Sequence, residues 1–147
     1  MKTKTIRYAT VTLLLVALTT VISVTGANAQ AVFAGNVSLP HAVRWGQTML
    51  PAGNYSIRIA SFNSPAATIH STDGKIAAFV LMGTRQDGES GPSSLTIVTR
   101  GNERTVASLN LPQSGISLVY VPMTKAERET LAKTEQIETV PVVTAKK

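Results

Sequence analysis

GQTMLPAGNYSIRI, residues 46–59, decides the fold class. Pro51 presets φ for the first corner of a tight turn. Gly53, two positions on, can take the left-handed backbone that closes a three-residue loop, a conformation Asn also tolerates. The stretch predicts a β-hairpin turning at Pro51-Ala52-Gly53, with Leu50 opposite Asn54, Met49 opposite Tyr55 and Trp45 opposite Ile59. Side chains alternate faces along a strand. Trp45, Met49, Tyr55, Ile57 and Ile59 therefore share one face, and Thr48, Ser56 and Arg58 the other. An apolar face backed by a polar one calls for an antiparallel sheet with one side on a core.

Upstream, Val37, Leu39, His41, Val43 and Trp45 alternate with Ser38, Pro40, Ala42 and Arg44, a strand pattern with His41 on its apolar phase. Pro40 lacks a ladder donor and belongs at an edge or bulge. Earlier still, Lys2, Lys4 and Arg7 precede an uncharged stretch over Ala9–Val24, which ends in the box Ala27-Asn28-Ala29. These three parts make residues 1–29 a secretory signal peptide, cleaved between Ala29 and Gln30, and place the protein in the periplasm or outside the cell. The chain carries a formal charge of +6 from fourteen basic and eight acidic residues. The leader holds three of the basic residues and no acidic one, leaving +3 on residues 30–147.

Downstream, Ala66–Thr72 and Lys75–Met82 flank Asp73-Gly74, a two-residue hairpin signal that predicts a type I′ turn with His70 facing Ala77. Lys75–Met82 is apolar on both phases, which predicts a central strand. Gly83–Ser94 reads as one long polar loop. Leu95–Arg100 and Glu103–Leu109 flank a third turn at Gly101-Asn102, with Arg100 facing Glu103 and Ile97 paired with Val106. A fourth turn spans Leu111–Gly115, before a strand over Ile116–Val121. Thr124 and Glu127 form a capping box that starts a helix over Lys125–Gln136.

The fold class that follows is mainly β. It is an antiparallel meander of about eight strands, a small barrel or a two-layer sandwich, with a short C-terminal helix. The boundaries are 1–29 signal peptide, 30–122 β-domain, 123–136 helix and 137–147 an extended or disordered tail. LPAGNY at 50–55, DGKIAAFVL at 73–81 and KAERETLAK at 125–133 occur in that order. In these motifs the chain resembles a group of small exported bacterial β-domain proteins of unknown function, with an LPAG-type hairpin, a DGK-type hairpin and a C-terminal helix. The resemblance implies that architecture and no catalytic residues.

The sequence has no cysteine, so thiol chemistry, disulfides and a lipid-attachment site are excluded. It contains no G-x-S-x-G, S-x-x-K or HExxH motif. None of its carboxylates falls on an apolar strand phase where burial would tune it. Lys146-Lys147 is the sole basic run after the leader, which argues against nucleic acid as a partner. The reading is a non-enzymatic exported β-domain without a cofactor. It binds an envelope or extracellular partner or forms part of an envelope assembly, with no stable membrane span after cleavage. Two alternatives are a small-ligand or carbohydrate-binding barrel and a minor hydrolase using His41 or His70. Candidate ligand contacts are Phe62 in its loop, Trp45, and Arg85, Asp87 and Glu89 in the polar loop. Asp87 and Glu89 fall short of the six or so oxygens that a calcium loop needs.

Overall fold

The computed structural model describes residues 30–145; the expected signal peptide at 1–29 and the terminal Lys146-Lys147 lie outside them. Its eleven strands are β1 (Phe33–Leu39), β2 (Val43–Trp45), β3 (Thr48–Leu50), β4 (Gly53–Ile59), β5 (Ala66–Ser71), β6 (Ala77–Leu81), β7 (Thr84–Asp87), β8 (Ser94–Arg100), β9 (Glu103–Leu111), β10 (Ile116–Val119) and β11 (Ile137–Thr144). One short helix, α1 (Lys125–Lys133), precedes β11. The ladder runs β3-β2-β9-β8-β11-β1-β4-β5-β6, with β10 joining β9 to β7. The chain is mainly β, as its hairpin code predicts, and the sheet is a nearly closed barrel. Among the described residues, no helix is long and apolar enough to cross a membrane.

The inward phases of the strands form one core. Trp45, Leu50, Ile57, Ile59, Ile69 and Leu109 are wholly buried in it. Each such side chain contributes about 1.5–3 kcal/mol of burial. Trp45 and Tyr120 meet edge to face, with ring centroids 5.6 Å apart. Their buried polar atoms, Trp45 Nε1 and Tyr120 Oη, have no hydrogen-bond partner among the described residues. Burial pushes the Tyr120 hydroxyl up to about 12; Trp45 and the Gly83 backbone pull it down more weakly.

The LPAG stretch is a crossover rather than a hairpin turn. β2 and β3 pair with each other (Val43 with Leu50, Trp45 with Thr48) through Gly46-Gln47, with Gly46 at φ 60°. β4 pairs instead with β1 and β5. A glycine-first two-residue turn matches the twist of antiparallel strands, so Gly46-Gln47 closes the ribbon before Pro51 is reached. Pro51-Ala52 then carries the chain across to β4. The Tyr55 hydroxyl donates to the Pro51 carbonyl at 2.8 Å and pins this corner, much as a tyrosine corner does in Greek-key sandwiches. Gly53 has φ 156°, far from the left-handed well, so Asn gains no advantage there. Trp45, Tyr55, Ile57 and Ile59 do face the core, but Met49 lies outside, 55% exposed.

Other elements depart from expectation for similar reasons. Pro40 ends β1 early, so His41 sits in a break between strands and is exposed. The register around Asp73-Gly74 is as read, with His70 against Ala77. Gly74 alone turns left-handed, at φ 73°, so the turn is not type I′. β6 ends the ladder instead of lying at its centre, and Phe79 and Leu81 are 74% and 66% exposed. Among the described residues, no second layer covers them at β6. Gly83–Ser94 is not one loop, because β7 lies within it and pairs with β10. Gly83 is needed at the bend before β7, where a Cβ would stand 2.6 Å from the Val119 carbonyl oxygen. The helix starts as read, with the Thr124 hydroxyl accepting from the Glu127 N–H at 3.2 Å.

The segment expected as a tail is the strand β11. Ile137–Pro141 pairs with β8, and Val142–Thr144 pairs with β1. Val140 and Val142 point inward and are buried, while Pro141 and Val143 face out. Pro141 stands where the strand changes neighbours, a point at which a missing N–H costs least.

Two tests follow from this packing. Deleting residues 137–147 should abolish the cooperative denaturant transition, which circular dichroism will read; a free tail would leave it unchanged. Tyr120 titrates near 10 when unfolded and near 12 when folded, so its contribution holds below pH 10 and is lost as pH rises toward 12. Tyr120→Phe should be neutral or mildly stabilising at pH 7, because it removes an unpaired hydroxyl. By pH 12 the wild type should have lost about 2 kcal/mol that the variant keeps, measured by denaturant melts across pH.

Candidate functional site

A surface groove of about 840 Å³ lies at one rim of the barrel. Three pieces of chain build it. The break after β1 supplies Pro40, His41 and Ala42; β2 and its neighbours supply Arg44, Met49 and Ala52; the β8–β9 hairpin supplies Arg100, Asn102, Glu103 and Arg104. The tight Gly101-Asn102 turn sets Arg100 directly opposite Glu103. A parallel contact of β2 with β9, Arg44 beside Thr105, brings the first arginine to the other two.

Arg100 and Glu103 face each other as expected but do not pair. The Arg44 guanidinium instead forms an ion pair with the Glu103 carboxylate, and Arg100 donates to Glu127 of α1 at 2.5 Å. All four side chains are roughly half exposed, so each pair contributes about 0–1 kcal/mol. Their effect is to orient. Glu103 sits against the Nε of Arg44, and no hydrogen bond among the described residues engages its terminal nitrogens. Arg104 is half-buried and has no ion-pair partner among the described residues. The lining thus holds three guanidinium groups, one carboxylate, an imidazole, an amide and an exposed thioether. Guanidinium N–H forks suit carboxylate and phosphate oxygens, which they bind in pairs.

The residues singled out by the sequence fall elsewhere. Trp45 is fully buried and cannot touch a ligand, which removes it from the candidate contacts. Phe62 and Arg85 do come together. Phe62 packs against the core and the Arg85 guanidinium lies 5.5 Å from its ring centroid, so the ring is no open stacking platform. Asp87 ends β7 and is exposed. Glu89 is held on all sides: its carboxylate accepts from Arg128 at 2.5 Å, its N–H donates to Asn110 Oδ1 at 3.0 Å, and its carbonyl accepts from Asn110 Nδ2 at 2.9 Å. Asp87, Glu89 and Arg128 line a small cavity of about 70 Å³. His41 lines the rim groove, while His70 is exposed on β5 opposite Ser56. Neither imidazole shares a hydrogen bond with a hydroxyl or carboxylate among the described residues. No three His, Cys, Asp or Glu side chains gather there as a metal-binding group.

Sequence reasoning missed Arg44, Arg100 and Arg104 as a group. The hairpin turn signals that Arg100 and Arg104 are close, but nothing local signals the parallel contact that adds Arg44. No family model matches the chain, and no curated protein or solved structure matches it.

Asn110 is the buried fastener of the loop after β7. Asn110→Ala should cost about 2 kcal/mol, from two lost hydrogen bonds. Amide exchange should quicken at Gly88–Ser93 and stay unchanged at β4, a difference that hydrogen-exchange mass spectrometry will resolve.

Proposed function

We propose that the protein is a non-enzymatic exported binding domain that recognises an anionic envelope or extracellular partner through its rim groove. The observation that carries this is the gathering of Arg44, Arg100 and Arg104 around one surface concavity. The packed core supports surface recognition over an enclosed ligand, since its largest side chains fill the barrel. The leader pattern and the resemblance to small exported β-domain proteins support the export part of the reading. Met49, 55% exposed in the same groove, would meet the apolar stem of a ligand whose oxyanion sits on the arginines.

Heparin, as a generic polyanion, tests the reading by isothermal titration at fixed ionic strength. Each lost charge-assisted contact should weaken binding about tenfold or more, so Arg104→Ala and Arg44→Ala should both show it. Arg85→Ala removes the same charge outside the groove's lining and should leave affinity unchanged. Equal losses for all three variants would mean attraction by net charge alone, and the groove would have no special role.

A further inference from the structure

We infer that Gln30 is a modification site, and that the N-terminus exposed by leader cleavage cyclises to pyroglutamate. The inference rests on the export reading, which places the cut immediately before Gln30. The strand β1 begins at Phe33, and Gln30–Val32 stands outside any ladder. Gln30 is exposed, and no hydrogen bond among the described residues holds its amide. Its side chain is therefore free to fold back on its own α-amine.

The chemistry is internal and balanced. The unprotonated α-nitrogen attacks the side-chain carbonyl carbon, and a C–N bond closes a five-membered lactam. The bond from that carbon to the amide nitrogen breaks. The departing nitrogen takes the proton released by the α-nitrogen and leaves as ammonia. No oxidant or second reactant is required, and holding both groups in one residue supplies the proximity. An α-amine titrates near 7.7–8.0, so a sizeable unprotonated fraction exists at roughly neutral pH.

The surroundings give the change a consequence. Gln30 lines a groove of about 670 Å³ with Ala31, Val32, Phe33 and Leu111, where Arg58 is the charged side chain among the described lining residues. An uncyclised terminus adds a positive charge at that mouth. Cyclisation removes it and leaves a neutral ring beside a largely apolar wall. It also takes away the free amine that aminopeptidases need.

The test is the intact mass of the protein, expressed as the full 147-residue chain with its own leader in an exporting bacterial host. The expected product is residues 30–147 less one ammonia, blocked to Edman degradation until pyroglutamyl aminopeptidase removes the cyclised residue and exposes the Ala31 amine. Gln30→Ala should give its processed mass with no deficit. A processed wild-type mass that keeps the ammonia, even after prolonged incubation, overturns cyclisation and leaves export standing. An uncleaved mass, or a cut elsewhere, overturns the export reading and cyclisation with it.

Discussion

β11 lies between β8 and β1, and through it the two halves of the ladder become one sheet. On one side stand β8, β9, β2 and β3, and on the other β1, β4, β5 and β6. Across the remaining opening β3 and β6 approach without ladder pairing. The strand that closes the core is thus among the last residues of the chain, and one of its partners is the first strand. Contacts of such sequence separation carry a large loop-closure cost and slow folding. Until β11 docks, the inward faces of β1 and β8 share no hydrogen-bonded neighbour, and Val37 and Leu95 have an open flank.

Much of this architecture is legible locally. The Asp73-Gly74 and Gly101-Asn102 turns place His70 against Ala77 and Ile97 against Val106 from residue spacing alone, because a short turn dictates register. The inward phase of Trp45, Tyr55, Ile57 and Ile59 follows from alternation. What fails is the placement of the first turn, read at Pro51-Ala52-Gly53 and found at Gly46-Gln47. Gly46-Gln47 and Pro51-Ala52-Gly53 lie five residues apart, and only one can close a hairpin. Both β2 and β3 are three residues long, too short for periodicity to decide between them. β11 was hidden for a different reason. Val140 and Val142 alternate correctly, but Pro141 between them and the terminal position both argue for a loose end, and only tertiary pairing overrules that.

The candidate site was less legible than the fold, and the reason is topological. Trp45 and Phe62 attract notice as aromatics, yet aromatics bury large areas and are drawn into cores, as Trp45 is. Arg85, Asp87 and Glu89 attract notice as a polar run, but β7 ties them to β10 and Asn110 fastens Glu89. The rim groove depends on β2 lying parallel to β9, a contact of a single register pair. Residues 44 and 105 share no local pattern, so no reading of windows or motifs joins them.

The charge pattern of the rim bears on what it can recognise. Two carboxylates, Glu103 and Glu127, already attend the three arginines, so the excess positive charge is small and weakly attractive at a distance. At an ionic strength near 0.15 M, screening sets in over about 8 Å. Long-range steering is therefore modest, and recognition has to come from contact geometry. That places the weight on orientation: Glu103 grips Arg44 by its Nε from within the groove, and Glu127 draws on Arg100 from α1. A guanidinium fixed at one edge loses less side-chain freedom when its free nitrogens meet an oxyanion, which lowers the ordering cost of binding. α1, which buries none of its residues, thereby gains a role that its own packing does not explain. By holding Glu127 against Arg100, it couples the segment that precedes β11 to the rim where we place the partner.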